Sequence, residues 1–457
     1  MLLKSLYLKP YNYYRKLLFI FSHSVFDPRF YFIYLKTINN RYKTTEELKQ
    51  NQNSKLKKLI HYAYEHVPYY KTLFDDCSLN PKNIKTTKDL EKIPILTKEI
   101  IKQNYDKFFP NKSQIKKIHY FNNATGGTTG TPLKYRISRS RRLRSICNLY
   151  KGLGNAGYKL GDRMILLGGQ SIGVNVKPNL INNLEQYIRN IKKLSAFDMD
   201  DRTMRKYVDT INSYKPKYIR GYPSALYFFS KFIEEKSLTI YSPAAVFTTS
   251  ENLYKEMRDK IEKIFRCKIY NCYGLRDSGL SAYECKNHKG LHINMSDSIL
   301  EIVDDNNKQI NEGIGKIIGT DLYNYAFPFI RYESGDIAEI SPKKCSCGEN
   351  TPLLKEIMGR TVDILVTPEG KKIHGWFFLY LFWQIQKGIE KYRVEQNKIA
   401  EIDIFIIKNS NYNKEQEKQI KDIVKERSPN WQLNFHYVNN IPLSKSGKYK
   451  FIVNNLK

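Results

Sequence analysis

The sequence predicts an α/β fold: a large N-terminal domain of mostly parallel sheet with a β-rich subdomain, and a small α+β C-terminal domain. Three observations carry this reading. From about residue 118, short apolar, β-branched stretches alternate with helix-like segments, the pattern of a parallel sheet with helices on its faces. After residue 297 the strand-like stretches crowd together, which marks the β-rich subdomain. At Gly359-Arg360 the pattern changes again, and about 100 residues follow, a common domain size. The chain has 457 residues, more than the about 250–300 at which a single core stops growing. Domain boundaries are placed at 1–42, 43–359 and 360–457.

The elements justify themselves in order. Residues 1–40 are basic and aromatic (Tyr7, Tyr11, Tyr13, Tyr14, Arg15, Lys16, then Leu17–Phe21). Two readings stand for them: an amphipathic helix lying on a membrane surface, or a helix packed on the body of the protein. Residues 43–75 read as helical, with Leu48, Leu56, Leu59, Ile60, Ala63 and Tyr64 at helix-like spacing and a break at Pro68. Thr86–Lys88 reads as a loop and helix start. Strands are expected at Met164–Leu167, Tyr218–Ile219, Ala245–Thr248 and Lys268–Tyr273, then at Ser298–Val303, Gly315–Thr320 and Asp336–Ile340. The last domain should hold a helix around Phe377–Gln384, a strand Glu401–Ile407, a charged helix Lys414–Arg427 and a strand Asn434–Val438. No internal repeat is visible.

Composition narrows the class. Hydrophobic residues make up 41%, ordinary for a globular protein and incompatible with a disordered or collagen-like chain. No apolar run approaches the ~20 residues that cross a bilayer. Leu17–Phe21 is cut short by Ser22, His23 and Ser24 and lacks a cleavage site, which points to a cytoplasmic protein, with contact at the inner membrane face as the variant reading for the basic N-terminus. The net charge of +31 would draw a polyanion, but the lysines are scattered beside abundant Asn, Ile and Tyr. No RNP signature or zinc-finger spacing supports a nucleic-acid partner. Seven cysteines, an odd number in a large chain, argue against a disulfide framework.

The most informative stretch is Ala124-Thr125-Gly126-Gly127-Thr128-Thr129-Gly130-Thr131-Pro132-Leu133. Its glycines let the backbone approach a ligand, and its hydroxyls supply donors, a combination suited to oligophosphate. It is not a Walker P-loop, because Thr131-Pro132 follows Gly130; alone, it reads equally as an ordinary hairpin loop. Its companions shift the balance. Tyr273-Gly274-Leu275-Arg276-Asp277 follows a strand end, where open α/β sheets bind ligands. Arg331-Tyr332-Glu333-Ser334-Gly335-Asp336, Gly359-Arg360-Thr361-Val362-Asp363 and Pro442-Leu443-Ser444-Lys445-Ser446-Gly447-Lys448 come next. These five motifs, in this order, resemble the adenylate-forming superfamily of acyl-CoA synthetases. His61–Tyr70, Arg220-Gly221-Tyr222-Pro223-Ser224 and Thr249-Ser250-Glu251-Asn252-Leu253 resemble its phenylacetate–CoA ligase branch and, within it, the CapK-like subgroup. The resemblance covers roughly residues 45–455.

The resemblance implies an adenylate-forming ligase fold with a mobile C-terminal domain and an activity in two steps: an acid and ATP give acyl-AMP, and the acyl group is then transferred. It implies ATP, Mg²⁺ and coenzyme A as cofactors, with a small carboxylic acid and an acyl acceptor as partners. Thr125, Gly126, Gly127, Thr128, Thr129, Gly130 and Thr131 should hold the ATP phosphates. Ser250, Glu251, Asn271, Tyr273 and Gly274 should surround the adenine, Asp336 the ribose hydroxyls, and Arg360 the ribose or phosphate. Asp277 stands where the family has a Glu that meets Mg²⁺, Asp363 falls at the hinge, and Lys448 matches the catalytic lysine. Thr131 replaces a Lys often found in that loop. The acid pocket should draw on Gly221, Tyr222, Ser224 and the Gly168-Gly169-Gln170 turn, with no charged anchor visible. Two alternatives remain open: the same adenylation with transfer to an amine or hydroxyl in capsule or envelope polysaccharide synthesis, and an inactive membrane-peripheral scaffold.

One cluster lies outside these motifs. Cys285-Lys286-Asn287-His288 and Cys345-Ser346-Cys347 have knuckle-like spacing that suits a structural tetrahedral zinc held by Cys285, His288, Cys345 and Cys347, with His292 as a substitute ligand. The competing reading is that these residues merely pack. Cys272 reads as pocket lining.

Overall fold

The computed structural model describes residues 2–125, 133–174, 180–197, 199–360, 364–375, 377–378, 381–382, 385, 388–444 and 447–456. They divide into two compact units, Met1–Met358 and Gly359–Lys457.

The first unit opens with helices Leu2–Phe26 and Phe30–Asn39. Helix Thr45–His66 follows, started by a capping box in which Thr44 and Glu47 exchange side-chain and backbone bonds. The break at Pro68 is a change of helix rather than an end: proline takes the first helical position of Pro68–Asp76, where no N–H is needed. Leu48, Leu56, Leu59, Ile60 and Ala63 form the buried stripe that the spacing predicts. Leu56, Leu59, Ile60 and Ala63 meet Tyr70, Phe108, Phe327 and Phe329 in one aromatic-rich core. Tyr70 is fully buried, so its hydroxyl needs partners; it donates to the Pro328 carbonyl (2.9 Å) and accepts from Ile330 N–H (3.1 Å).

Two strands, β1 (Tyr120–Ala124) and β2 (Lys134–Ser138), form an antiparallel hairpin. Among the described residues, twelve further strands make one sheet. Its parallel half runs β4 (Ile191–Ser195), β3 (Met164–Gly168), β5 (Tyr218–Gly221), β6 (Ala245–Thr249) and β7 (Lys268–Gly274). These strands are joined through helices such as Asp201–Tyr214, Pro223–Glu235 and Lys255–Phe265, the connection that parallel strands require. β8 (Ser281–Glu284) turns back antiparallel on β7, followed in the sheet by β9 (Leu291–Ile293) and β14 (Leu353–Arg360). β13 (Tyr332–Ser341), β12 (Gly313–Asp321), β10 (Ser298–Val303) and β11 (Gln309–Ile310) complete it. The β-rich stretch after residue 297 thus extends the parallel sheet into a mixed one instead of standing apart. Its short connections permit only antiparallel neighbours.

The second unit has a hairpin of β15 (Ile364–Val366) and β16 (Lys372–His374), and a four-stranded sheet in the order β19-β18-β17-β20. Here β17 is Ile389–Lys398, β18 Glu401–Lys408, β19 Gln432–Tyr437 and β20 Ile452–Asn454. Helix Lys414–Arg427, boxed by Asn413 and Gln416, buries Ile420 and Val424, and β18 buries Ile402, Ile404 and Ile406. The helix expected around Phe377–Gln384 lies partly outside the described residues.

Candidate active site

Polar side chains gather where the parallel strands end. At the end of β7, the Tyr273 hydroxyl donates to Asp336 Oδ2 at 2.9 Å, although the two residues are 63 positions apart. Asp336 is 7% exposed, and its own N–H bonds Ser334 Oγ (3.0 Å), whose hydroxyl is anchored on the Ile317 carbonyl. Gly335 between them has φ +77°, a conformation that favours glycine. Burial, and then the charge of Asp336, push the Tyr273 phenol well above its ordinary range, so it stays a donor at physiological pH.

At the end of β6, Ser250 holds φ +73°, an unusual conformation for a residue with a Cβ and one that clusters at ligand sites. Its hydroxyl accepts from Ser171 Oγ (3.1 Å), and Ser171 also lies 2.5 Å from the Tyr222 hydroxyl. Glu251 accepts from Ser224 N–H (3.0 Å) at the start of helix Pro223–Glu235, where the helix dipole favours an anion. Asn271 Oδ1 accepts from Thr248 (3.0 Å) and from Cys272 N–H (3.0 Å). Gly221 is sterically fixed: a Cβ there would stand 2.7 Å from the Leu167 carbonyl. Gly274 ends β7 exposed, and Asp277 caps the next turn by accepting from Ser278 N–H (2.9 Å). Ser171, absent from the motif-based set, joins two of the expected residues, Tyr222 and Ser250. The Gly169-Gln170 turn was its only signal in the sequence.

Thr125 closes the neck of the β1–β2 hairpin, its N–H donating to the Leu133 carbonyl and its hydroxyl accepting from Leu133 N–H, both at 2.9 Å. Gly126, Gly127, Thr128, Thr129, Gly130, Thr131 and Asp363 lie outside the described residues. Arg360 ends β14. In the second unit, Gly447 (φ +79°) allows a tight turn in which Ser444 N–H donates to the Lys448 carbonyl (2.9 Å) and Lys448 N–H to Ser444 Oγ (3.0 Å).

The cysteines assemble differently from the spacing. Ligand atoms of Cys285, His292, Cys345 and Cys347 all lie within 4.8 Å of one another. Cys285 and Cys345 Sγ are 3.7 Å apart, close to the about 3.8 Å edge of a tetrahedron with 2.3 Å Zn–S bonds. His292 Nε2 is 3.2 Å from Cys347 Sγ while its Nδ1 faces Thr351 Oγ1 (3.1 Å), the outer contact that orients a metal-binding imidazole. His288 is not in this group. Its ring meets Glu284 (3.5 Å) and packs edge-on against Tyr270.

Comparison with known proteins bears on this arrangement. A 2-hydroxyisobutyryl-CoA ligase in its postadenylation state, bound to 2-HIB-AMP, superimposes with a TM-score of 0.72, covering 91% of both chains at 17% identity. Its fold is that of the adenylate-forming ligases. Residues 365–455 match the CapK C-terminal domain model. Protein CapK of Staphylococcus aureus is 25% identical over 91% of each chain. The phenylacetate–coenzyme A ligase of Thermus thermophilus is 24% identical over 70% of this chain and 72% of its own. Tyr273, at the end of β7, thus meets Asp336 of β13 in an adenylate-forming ligase fold.

Proposed function

We propose that this protein activates a carboxylic acid with ATP as an acyl-AMP and then passes the acyl group to coenzyme A. The observation that carries the reading is the Tyr273–Asp336 pair beside the β7 end, in a fold shared with an acyl-AMP-bound ligase. Asp336 offers a buried carboxylate to two ribose hydroxyls, and Tyr273 flanks the adenine with Ser250, Glu251, Asn271 and Gly274. Asp277 would hold Mg²⁺, a cation that prefers oxygen ligands and would offset phosphate charge. In the first step a carboxylate oxygen bonds the α-phosphorus and pyrophosphate leaves. Two anions must approach, so a cation has to neutralise the charge that develops between them; Lys448 supplies it from the C-terminal unit, whose mobility belongs to this reading. In the second step the thiol sulfur bonds the acyl carbon, its proton is lost, and AMP leaves.

Lys448→Ala should abolish acyl-AMP formation yet leave transfer from supplied acyl-AMP largely intact. Equal loss of both half-reactions in a folded variant would remove Lys448 from that role. CapK matches a larger share of this chain than the phenylacetate ligase does, which keeps a sugar or amino-acid acceptor in an envelope pathway as the second reading. Omitting coenzyme A and supplying such acceptors separates the two.

Cys285, His292, Cys345 and Cys347 would hold a structural zinc; with four protein ligands the site is closed and supplies stability rather than chemistry. The N-terminal helix is proposed to rest on an anionic lipid surface. Its inner face buries Phe19 and His23, while Tyr13, Leu17, Phe21 and Val25, spaced four apart, are 48–66% exposed. Phe26 and Phe32 are 72% and 70% exposed. Lys16 and Lys36 lie exposed nearby in a chain of net charge +31, which matches an anionic headgroup layer. Flotation with phosphatidylglycerol vesicles but not phosphatidylcholine vesicles, lost in Phe21→Ser/Val25→Ser/Phe32→Ser, is the expected result.

A further inference from the structure

Arg220 is the penultimate residue of β5, between Leu166 of β3 and Phe247 of β6. Side chains alternate along a strand, so Arg220 shares a face with Tyr218, and Gly221 presents the other. That face is aromatic: Tyr218 packs on Tyr158 (5.5 Å) and Phe247 (5.6 Å), and Phe247 on Tyr270 (6.0 Å). Tyr150 stacks on Tyr158 above it. A guanidinium in such surroundings is costly unless an anion accompanies it. Elsewhere in this unit that rule holds. Arg141 has Asp321 at 2.8 Å, Arg144 has Asp297 at 3.2 Å, Arg258 has Glu284 at 2.6 Å and Arg331 has Glu301 at 3.3 Å.

Arg220 breaks it. Among the described residues it forms no ion pair, and its Nε is buried without a hydrogen-bond partner. Its electrostatic neighbours are the Cys272 thiol, the Tyr283 and Tyr150 phenols and a second cation, Arg276. Burial, opposed only by those weak neutral groups, lowers its pKa. Arg276 is itself fixed on the Ser171 carbonyl (2.8 Å), the residue that joins Tyr222 to Ser250. The unpaired charge therefore sits one residue below Gly221-Tyr222, at the carboxyl end of the sheet where ligands bind.

We infer that the acid activated by this protein carries a second anionic group, which Arg220 receives. The inference rests on the adenylation reading and adds the substrate class: a dicarboxylic acid, or a carboxylic acid bearing another acidic substituent, held by one end at Arg220 while the other is presented to ATP. Arg220 is thus a specificity-determining residue and takes no part in bond making.

The test is ATP–pyrophosphate exchange with matched acids: benzoate against terephthalate, phenylacetate against 1,4-phenylenediacetate, and pentanoate against glutarate. The diacid of at least one pair should exceed its monoacid by about 100-fold in kcat/KM, the value of one charge-assisted pair. Arg220→Met should erase that preference, lowering the diacid rate while the monoacid rate holds or rises, and Arg220→Lys should keep part of it. Melting temperature within a few degrees of the parent confirms that both variants fold. A parent that prefers the monoacid in every active pair overturns the inference, as does an Arg220→Met variant that lowers both acids equally. Exchange with monoacids alone leaves the adenylation reading standing and this one refuted; exchange with no acid of either kind refutes both.

Discussion

In the antiparallel half of the long sheet, Arg331 donates to Glu301 and to the Ile93 and Asn307 carbonyls, leaving its charge fully accompanied. In the parallel half, Arg220 is half-buried with its Nε enclosed, and among the described residues it forms no ion pair. The same contrast runs through the neighbouring groups. The antiparallel half closes on itself through Arg141–Asp321 and the Cys/His cluster. The parallel half ends in Ser250, held at φ +73°, and in Tyr273, whose hydroxyl reaches across to Asp336 of β13. Paired buried charges hold a fold together, whereas a buried charge with no counter-ion has spare capacity for a ligand. The comparison assigns stability to one half of the sheet and chemistry to the other.

The largest expected effect tests the closed half. Replacing Cys345 and Cys347 by serine should release bound zinc and lower the melting temperature before activity falls, since metal binding free energy is folding free energy. Metal analysis of protein purified without chelator reads this directly; no zinc in the parent would make the cluster mere packing. Arg141→Met should cost ~3–5 kcal/mol in denaturant unfolding, because it strands Asp321 with no cation. Arg220→Met should cost less than about 1 kcal/mol or stabilise, since no acid is abandoned. Equal losses would erase the distinction between the halves.

His23 gives an effect of about 3 kcal/mol with a defined pH window. Its ring stacks between Phe19 and Phe30, 4.5 Å from each, and lies near the Tyr150 hydroxyl (3.3 Å). Burial first, then the nearby Arg189, lowers its pKa to about 4. The unfolded chain takes up the proton near the ordinary value of about 6.5, so stability is complete above that pH and falls as pH drops toward 4. His23→Phe should flatten this dependence. A smaller, functional effect is expected at Asp336: Asp336→Ala should raise the KM for ATP about 30–100-fold, the loss of roughly 2–3 kcal/mol of charge-assisted bonding to the ribose.

How far the sequence discloses this depends on distance along the chain. Tyr273 and Asp336 are visible in it because each sits in a local motif, and the structure brings them to 2.9 Å. The C-x-x-H spacing favours His288 over His292 as a ligand because it looks like a knuckle. In the fold His288 adopts φ +50° and donates its N–H to the Cys285 carbonyl, closing a turn, while its ring faces Tyr270. His292 pairs with Leu353 across β9 and β14, next to the Cys345–Cys347 loop. In the sequence Arg220 stands out only as part of the Arg220–Ser224 motif. Whether an arginine lacks an acid is decided by pairs as remote as Arg141 and Asp321, which no local pattern reveals. The sequence predicts a mostly parallel sheet because helix-linked strands dominate the middle of the chain, whereas the short turns after β7 reverse direction and extend the same sheet.

The account stands most directly on ATP–pyrophosphate exchange by the purified full chain with a panel of mono- and dicarboxylic acids, followed by coenzyme A. It predicts acid-dependent exchange that needs Mg²⁺ and, on adding coenzyme A, release of AMP with formation of an acyl thioester. Full occupancy by ATP with no exchange for any acid would contradict it, and would leave the strand-end crevice a nucleotide site without the chemistry proposed for it.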